Sequence, residues 1–419
     1  MKVLAVADSD SYLKWAAALL DRLDPSFDRE LVVVQTPVQP SAGQIRSALA
    51  GTRFDAADVG LLSLTQLAAR VGRDEPEVVV LAVRGPVVRV LIRAIRARSA
   101  AHPVIVSGFP GISIPVALKA IVYREMVDLV IVHSHRELRE FTAMAMSHGY
   151  AQRFALARFP FLPTEPVVSD REGGLVFATQ AKVPYTRDDR LMLLGWLAEA
   201  ARRRPEREVV IKVRTQAGET QTHPEKWDFA ELLGELADPP PNLTVRAGSM
   251  AEHLDHARGL VTISSTAVLE AVARRVPVVV IGDFGVNSTM INSVYRDSGL
   301  IGSSADLVEG RFHTPNPGWL RENYLHDEAE ADWQEQLALV LGLRAGNELP
   351  WRQERRQRLG GALRRAWDRK QTLGQFDRSI TGVFALVVGI PLRAVVRRVR
   401  AVRYRRLRAR AGRRGAAGV

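Results

Sequence analysis

Residues 259–283 read GLVTISSTAVLEAVARRVPVVVIGD. Two nearly continuous aliphatic runs, one ending at about Ile263 and one over 277–282, enclose a segment with Val268, Leu269, Val272 and Ala273 at helical spacing. Runs this apolar suit strands covered on both faces, the condition of a parallel sheet. Parallel neighbours need a crossover, and the enclosed segment supplies a helix for it. The unit is therefore strand, helix, strand. Between the first strand and the helix stand Ser264, Ser265 and Thr266. Capping is the simplest use of such residues, since their oxygens satisfy free backbone N–H groups. One cap needs one hydroxyl, however, and here there are three. A helix start at a strand's carboxyl end also suits a phosphate, to which hydroxyls donate. Glu270, one turn into the helix, could face a ribose hydroxyl.

The same unit recurs earlier in the chain. Upstream, KVLAVA (2–7), ELVVVQ (30–35), EVVVLAV (77–83), PVIVSG (103–108) and DLVIVH (128–133) read as strands, separated by helical patterns such as YLKWAAALLDRL (12–23). A proline-rich stretch with a Gly-Gly end, FPFLPTEPVVSDREGG (159–174), interrupts the series. It resumes with LVFAT (175–179), EVVIKV (208–213) and LTVRA (243–247). This is an α/β chain of two tandem Rossmann-like domains followed by a basic, partly apolar tail. The expected divisions are 1–160 for the first domain, 161–174 for a linker, 175–349 for the second domain and 350–419 for the tail. Ligands of such sheets sit outside the carboxyl ends of the strands, which directs attention to those loops.

The chain has 419 residues, 47% hydrophobic and 25% charged, and no cysteine. That composition is ordinary for a soluble globular protein, and it excludes disulfides, thiolate zinc sites and iron–sulfur clusters. The first residues, MKVLAVADSD, do not read as a signal peptide, because acidic residues cut the apolar run short. The net charge of +12 is unevenly spread: residues 351–419 hold 20 Lys and Arg against 3 acidic residues. The body is mildly acidic and the tail strongly basic. Arginine outnumbers lysine 51 to 7, which reads as a coding bias.

Several strand ends carry polar residues. QTHPEKW (221–227) follows the run ending near Lys212 and places His223 on the same rim as Ser264. Pro224 restrains the histidine backbone to an extended form. An imidazole there can donate to a phosphate or neutralise a leaving group, and Lys212 adds charge. A solvated loop histidine is the alternative. The His-Pro pair, followed by Ser264 and Ser265, resembles bacterial sialyltransferases of the GT-B fold, which use CMP-activated nonulosonic acids. The "strand, Ser/Thr, helix with Glu, PVVV" pattern also looks like capsule and teichoic-acid transferases. The resemblance implies that His223, Pro224, Ser264 and Ser265 hold the nucleotide phosphate. It also implies an acidic residue on the first domain's rim, within an Asp/Glu-Asp/Asn-Gly tripeptide, that deprotonates the acceptor. No such tripeptide stands at a suitable strand end. Asp8 and Asp10, in VADSDSYLKW, occupy the loop after the first strand. Each could act as a general base or simply cap the following helix.

SGFPGISIP (107–115) follows another first-domain strand, and Gly108 and Gly111 would let backbone approach a ligand or form a tight turn. Gln180, at the first strand end of the second domain, could read a nucleotide or sugar. His133 and His135 alternate at a strand end without an evident third ligand, and His253 and His256 read as surface. No metal site and no cofactor are expected. Neither the dinucleotide G-x-G-x-x-G nor a phosphate-binding Walker A sequence occurs, and no acidic pair clearly follows a central strand.

In the tail, Leu359, Leu363 and Trp367 punctuate an arginine-rich helical pattern. SITGVFALVVGIPL (379–392) is uncharged, and RAVVRRVRAVRYRRLRARAGRR (393–414) is intensely basic. The apolar run falls short of the ~20 residues a membrane span needs. Attachment to the anionic inner face of a cell membrane fits it, with the rest of the chain in the cytoplasm. Disorder is one alternative and nucleic-acid binding another; an uncharged apolar run gains nothing from nucleic acid. The expected function is metal-independent sugar transfer, with CMP-nonulosonate as donor and a surface glycan or lipid-linked acceptor. The alternatives are a CDP- or UDP-dependent capsule or teichoic-acid transferase, a nucleotide-sugar 2-epimerase, and a non-enzymatic membrane-associated binder of nucleotides or nucleic acid.

Overall fold

The computed structural model describes residues 1–163, 172–213, 226–355 and 361–391. Residues 1–34 and 38–353 form one compact unit, and residues 35–37 with those from 354 onward form another. In the first unit, β1 (Lys2–Ala7), β2 (Asp28–Val34), β3 (Gly60–Leu62), β4 (Val78–Ala82), β5 (Val104–Ser107), β6 (Leu129–Val132) and β7 (Phe154–Leu156) build one sheet. Its order is β3-β2-β1-β4-β5-β6-β7, and every pairing is parallel. A second sheet contains β8 (Leu175–Ala178), β9 (Val209–Lys212), β10 (Leu243–Arg246), β11 (Gly259–Thr262), β12 (Val278–Ile281) and β13 (Ile301–Gly302). It is also wholly parallel, in the order β10-β9-β8-β11-β12-β13. The expected pair of Rossmann-like domains is thus present.

The strands read from the sequence recur within one or two residues at their ends. β3, β7 and β13 do not stand out in the sequence. They are two or three residues long and lie at or beside sheet edges, so they carry no periodicity. β1 illustrates why the runs look uniformly apolar. Val3, Ala5 and Ala7 enter the core beneath the helix Asp10–Asp21, whereas Leu4 and Val6 enter the core on the opposite face. Both faces are buried, so no polar alternation survives.

The chain returns to the first sheet after completing the second. The helix Trp333–Ala345 packs Trp333, Leu337 and Val340 into the core that holds Val3, Val104 and Leu129. Asp332 starts this return: its carboxylate accepts from the Leu156 N–H at 2.7 Å and its own N–H donates to the Leu156 carbonyl at 3.1 Å. The sequence division at 175–349 had grouped this helix with the second sheet. Apolar residues lie all round this helix, with Leu339 exposed, so local patterning does not show which core receives it.

The junction of the two sheets is fastened by Glu137, in the helix His135–Ser147 after β6. Its fully buried carboxyl accepts from the Ser113 N–H (2.8 Å), the His133 N–H (2.8 Å) and the Tyr324 hydroxyl (2.6 Å). Phe159 stacks between His133 and Tyr324, with ring centroids 4.2 and 5.3 Å away. Burial raises the Glu137 pKa to about 7, and its hydrogen bonds offset only part of that rise. The native state therefore holds a proton that the unfolded chain, titrating near 4.5, releases. Stability carried by this group is complete below pH 4.5, declines as pH rises to about 7 and is level above it. Glu137→Gln removes the titration. In urea titrations across this range, wild type should lose on the order of 2–3 kcal/mol relative to the variant as pH rises. A pH-independent difference between the two would refute the assignment.

Candidate active site

The carboxyl ends of both sheets border one cleft of about 860 Å³. Its walls come from the loops after β1, β5, β8, β9, β10 and β11, among them Asp10, Lys14, Gly111, Gln180, Lys212, Ser264, Ser265, Thr266 and Glu270. In each sheet the strand order reverses between the first strand and its neighbour across the crossover, β1/β4 and β8/β11. These reversals open the crevices in which doubly wound sheets bind ligands.

At the β8/β11 reversal the Ser264 hydroxyl donates to the Gln180 side-chain oxygen at 2.5 Å, so two residues singled out separately in the sequence meet there. Thr262 Oγ1 donates to the Ala178 carbonyl at 2.9 Å and Thr179 Oγ1 to the Lys212 carbonyl at 3.1 Å, tying the three central strand ends together. Arg190, almost wholly buried, donates to the carbonyls of Pro184, Gln180 and Ala181 at 2.8–3.0 Å. It also bonds the Trp227 carbonyl, so one guanidinium holds both the Gln180 loop and the chain just after the His223 loop. The Lys212 side chain is itself buried at the end of β9, with Nζ 2.8 Å from the Val213 carbonyl. His223 and Pro224 lie outside the described residues.

Of the three hydroxyls after β11, only one is spent on the start of the helix Ala267–Ala273. Thr266 is the N-cap and makes no side-chain cap bond, and Ser264 is turned to Gln180. Only Ser265 Oγ accepts from the backbone, at the Ala267 N–H 3.2 Å away. Its carbonyl receives the buried Tyr295 hydroxyl at 2.8 Å, which fixes the turn from below. Glu270 lines the cleft and pairs with Lys14 from the first domain's helix Asp10–Asp21, with Nζ 3.1 and 3.2 Å from its two oxygens. Lys14 also lies 4.6 Å from the Phe161 ring centroid. Lys14 and Lys182 were not singled out in the sequence. With Lys212, they put three of the chain's seven lysines on the cleft, and that scarcity was the available signal.

On the opposite wall the two aspartates after β1 part company. Asp8 is fully buried and binds Arg84 at the end of β4, receiving Nε at 2.8 Å and the backbone N–H at 3.2 Å. Burial raises its pKa, and the Arg84 guanidinium opposes that rise. Asp8 therefore ties β1 to β4 at their own reversal and does not border the cleft, whereas Asp10 does. Neither is the helix N-cap, which is Ser9.

Gly108 approaches a side chain rather than a ligand. A Cβ there would stand 2.4 Å from Trp15 Cζ2, and its carbonyl accepts from Arg124 at 3.0 Å. Gly111 does face the cleft, where a Cβ would lie 3.2 Å from Thr266 Cγ2, so the two walls touch at this point. His133 is buried and structural. Its Nε2 accepts from Trp15 Nε1 at 2.8 Å, which leaves Nδ1–H to donate to the Ala157 carbonyl at 2.9 Å. Burial lowers its pKa to about 4, so it stays neutral at physiological pH. His135 pairs with Glu330, and His253 with the Ala247 carbonyl. His256 is the C-cap of the helix Met250–Asp255. Among the described residues no cluster of His, Asp and Glu is arranged to hold a metal ion.

Residues 3–340 match the family described as "Putative glycosyltransferase (DUF6716)". The chain belongs to that family. It is a glycosyltransferase of the GT-B type, and the matched region takes in both sheets and stops short of the basic tail. The fold is shared with the S. aureus MnaA–UDP complex at 10% identity and a TM-score of 0.53, covering 83% of this chain and 97% of that one. It is shared too with a "putative UDP-N-acetylglucosamine 2-epimerase" from Listeria monocytogenes, at 11% identity and a TM-score of 0.51, covering 85% and 99%. No curated protein matches the sequence.

Gly108→Ala tests the packing assigned to that glycine. The added methyl must displace Trp15 from its bond to His133, so the variant should lose about 1–3 kcal/mol in urea unfolding, with altered tryptophan fluorescence. Wild-type stability would show that the Trp15 contact is slack.

Proposed function

We propose that this glycosyltransferase takes a nucleotide-activated sugar in the second domain and passes it, without a metal, to a hydroxyl presented by the first. The observation that carries this reading is the convergence of Lys212, Gln180, Ser264, Ser265 and Thr266 on one wall, with Asp10 on the wall opposite. Lys212 supplies positive charge and the three hydroxyls supply donors for a phosphate. His223 is proposed to act with them on the strength of the sequence alone. In the reaction, Asp10 takes the acceptor's proton, the acceptor oxygen bonds the sugar's anomeric carbon, and the bond from that carbon to the phosphate oxygen breaks. The nucleotide leaves with the bond's electrons, and the donors and cations around it stabilise the charge. Asp8 holds the loop from beneath.

CMP-nonulosonate is the leading donor, on the resemblance carried by His223-Pro224 and Ser264-Ser265. A UDP- or CDP-linked sugar is the second reading, and MnaA's complex with UDP favours it. The acceptor in either case is a surface glycan or a lipid-linked precursor at the membrane. Family membership favours transfer over a purely binding role.

Thermal unfolding in the presence of CMP, CDP, UMP, UDP or GDP separates these readings. A ligand at ~100 times its Kd adds about 2.7 kcal/mol to the native state and raises the Tm by several degrees. CMP alone should do so, and Ser265→Ala should abolish the shift. A shift with UDP or CDP instead selects the second reading, and no shift with any nucleotide overturns the donor site. Asp10→Asn should leave nucleotide binding and Tm unchanged while reducing turnover at least ~100-fold. A variant with near-normal turnover would exclude Asp10 as the base.

A further inference from the structure

The second compact unit is built with its polarity reversed. Two helices, 362–376 and Ile380–Pro391, meet at a bend of 113°. Ala362–Leu373 carries arginines and Trp367, and Ile380–Pro391 carries no charge. In the second helix the small residues Gly382, Ala385 and Gly389 face inward. Ala385 is wholly buried, a Cβ on Gly382 would meet Asp377, and a Cβ on Gly389 would stand 2.2 Å from the Trp367 ring. The large residues face outward: Ile380 is 87% exposed, Phe384 59% and Val387 68%, with Val383 and Ile390 beside them. A helix folded by water buries its large apolar residues. Small residues inside and large ones outside is the arrangement of helices packed in lipid.

We propose that this outward face is a membrane-binding surface, with Ile380, Val383, Phe384, Val387 and Ile390 seated among the acyl chains of an anionic lipid layer. Charge identifies the occupant. Arg364, Arg365 and Arg378 lie in the same unit, and residues 392–419, directly after Pro391, add 11 arginines and no acidic residue. Arginines in the same unit as an apolar face, and next to it along the chain, match a surface with acidic headgroups above hydrocarbon. Twelve residues of helix reach about 18 Å, less than the ~30 Å hydrocarbon core; among the described residues no single helix is long and apolar enough to cross a membrane, and only the two helices taken together, bent by 113°, have the length and composition to do so. The attachment proposed is a helix lying in the plane of the interface. This inference is independent of the identity of the donor.

The test is flotation of the full chain with phosphatidylcholine vesicles containing or lacking phosphatidylglycerol. Wild type should float with the anionic vesicles, and added salt should weaken the association. Phe384→Ser with Val387→Ser, both exposed, should cut partitioning on the order of 100-fold. Truncation after Pro391 should lower it and flatten its salt dependence. The thermal transition of the body should be unchanged in both variants, separating lost attachment from misfolding. Equal flotation of wild type and the double variant would overturn the proposal. So would wild type that ignores anionic vesicles but forms a dimer dissolved by the same substitutions, or that binds only duplex DNA.

Discussion

The constraint beneath the rest of this molecule is that both sheets are parallel throughout. A parallel strand can be followed only by a crossover, so every strand delivers its carboxyl end to the same edge as its neighbours. That edge gathers backbone and side chains from segments far apart in sequence, and where the strand order reverses, adjacent loops diverge and leave a crevice. In the first sheet the crevice floor is the Asp8–Arg84 pair, and in the second it is the Ser264–Gln180 contact. The two floors are chemically unlike. One is an ion pair with its carboxylate buried, the other a set of neutral hydroxyls and an amide with a lysine nearby. That difference is the physical basis for proposing that an anionic leaving group sits at the second sheet.

Placing one sheet against the other requires fasteners that resist sliding. Glu137 serves well because its bonds run to three separate segments: the Ser113 loop, the end of β6 and Tyr324 in the returning chain. The aromatic stack of His133, Phe159 and Tyr324 fills the space beside it and excludes water, and the same exclusion is what raises the carboxyl's pKa. Rigidity and a displaced titration thus share one cause. The Lys14–Glu270 pair spans the same gap but with Lys14 partly exposed, where an ion pair contributes roughly 0–1 kcal/mol. A contact that weak can yield to a ligand, whereas the Glu137 junction cannot.

The central strands were legible because burial on both faces writes itself as unbroken Val, Ile and Leu, as in Val78–Ala82. The rim residues Ser264, Gln180, Lys212 and Asp10 were legible because each stands at or just after the end of such a run. The edge strands Gly60–Leu62 and Ile301–Gly302 were not, since so few residues cannot display a period. Contacts between domains were hidden for a different reason. Nothing near Lys14 indicates Glu270, 256 positions away, until the sheets are set against one another. Glu137 was disguised. Ser134-His135-Arg136-Glu137 has the spacing of a capping box, and Ser134 does accept from the Glu137 N–H at 3.0 Å. The glutamate's carboxyl, however, turns to His133, Ser113 and Tyr324 instead of closing the box.

Asp8 and Asp10 show how finely a strand end sorts like residues. Asp8 is the first position beyond β1 and still follows the strand's inward direction, so its carboxyl enters the space between β1 and β4. The only way to bury it there is to meet a cation, and Arg84 at the end of β4 supplies one. Two residues on, the backbone has turned into the helix, Ser9 takes the N-cap, and Asp10 points into the cleft at the helix's positive end. The same side chain thereby becomes a structural tie in one place and a carboxylate lining the cleft in the other. What each aspartate does in this loop follows from the position at which the chain turns, which two acidic letters one residue apart in a sequence do not reveal.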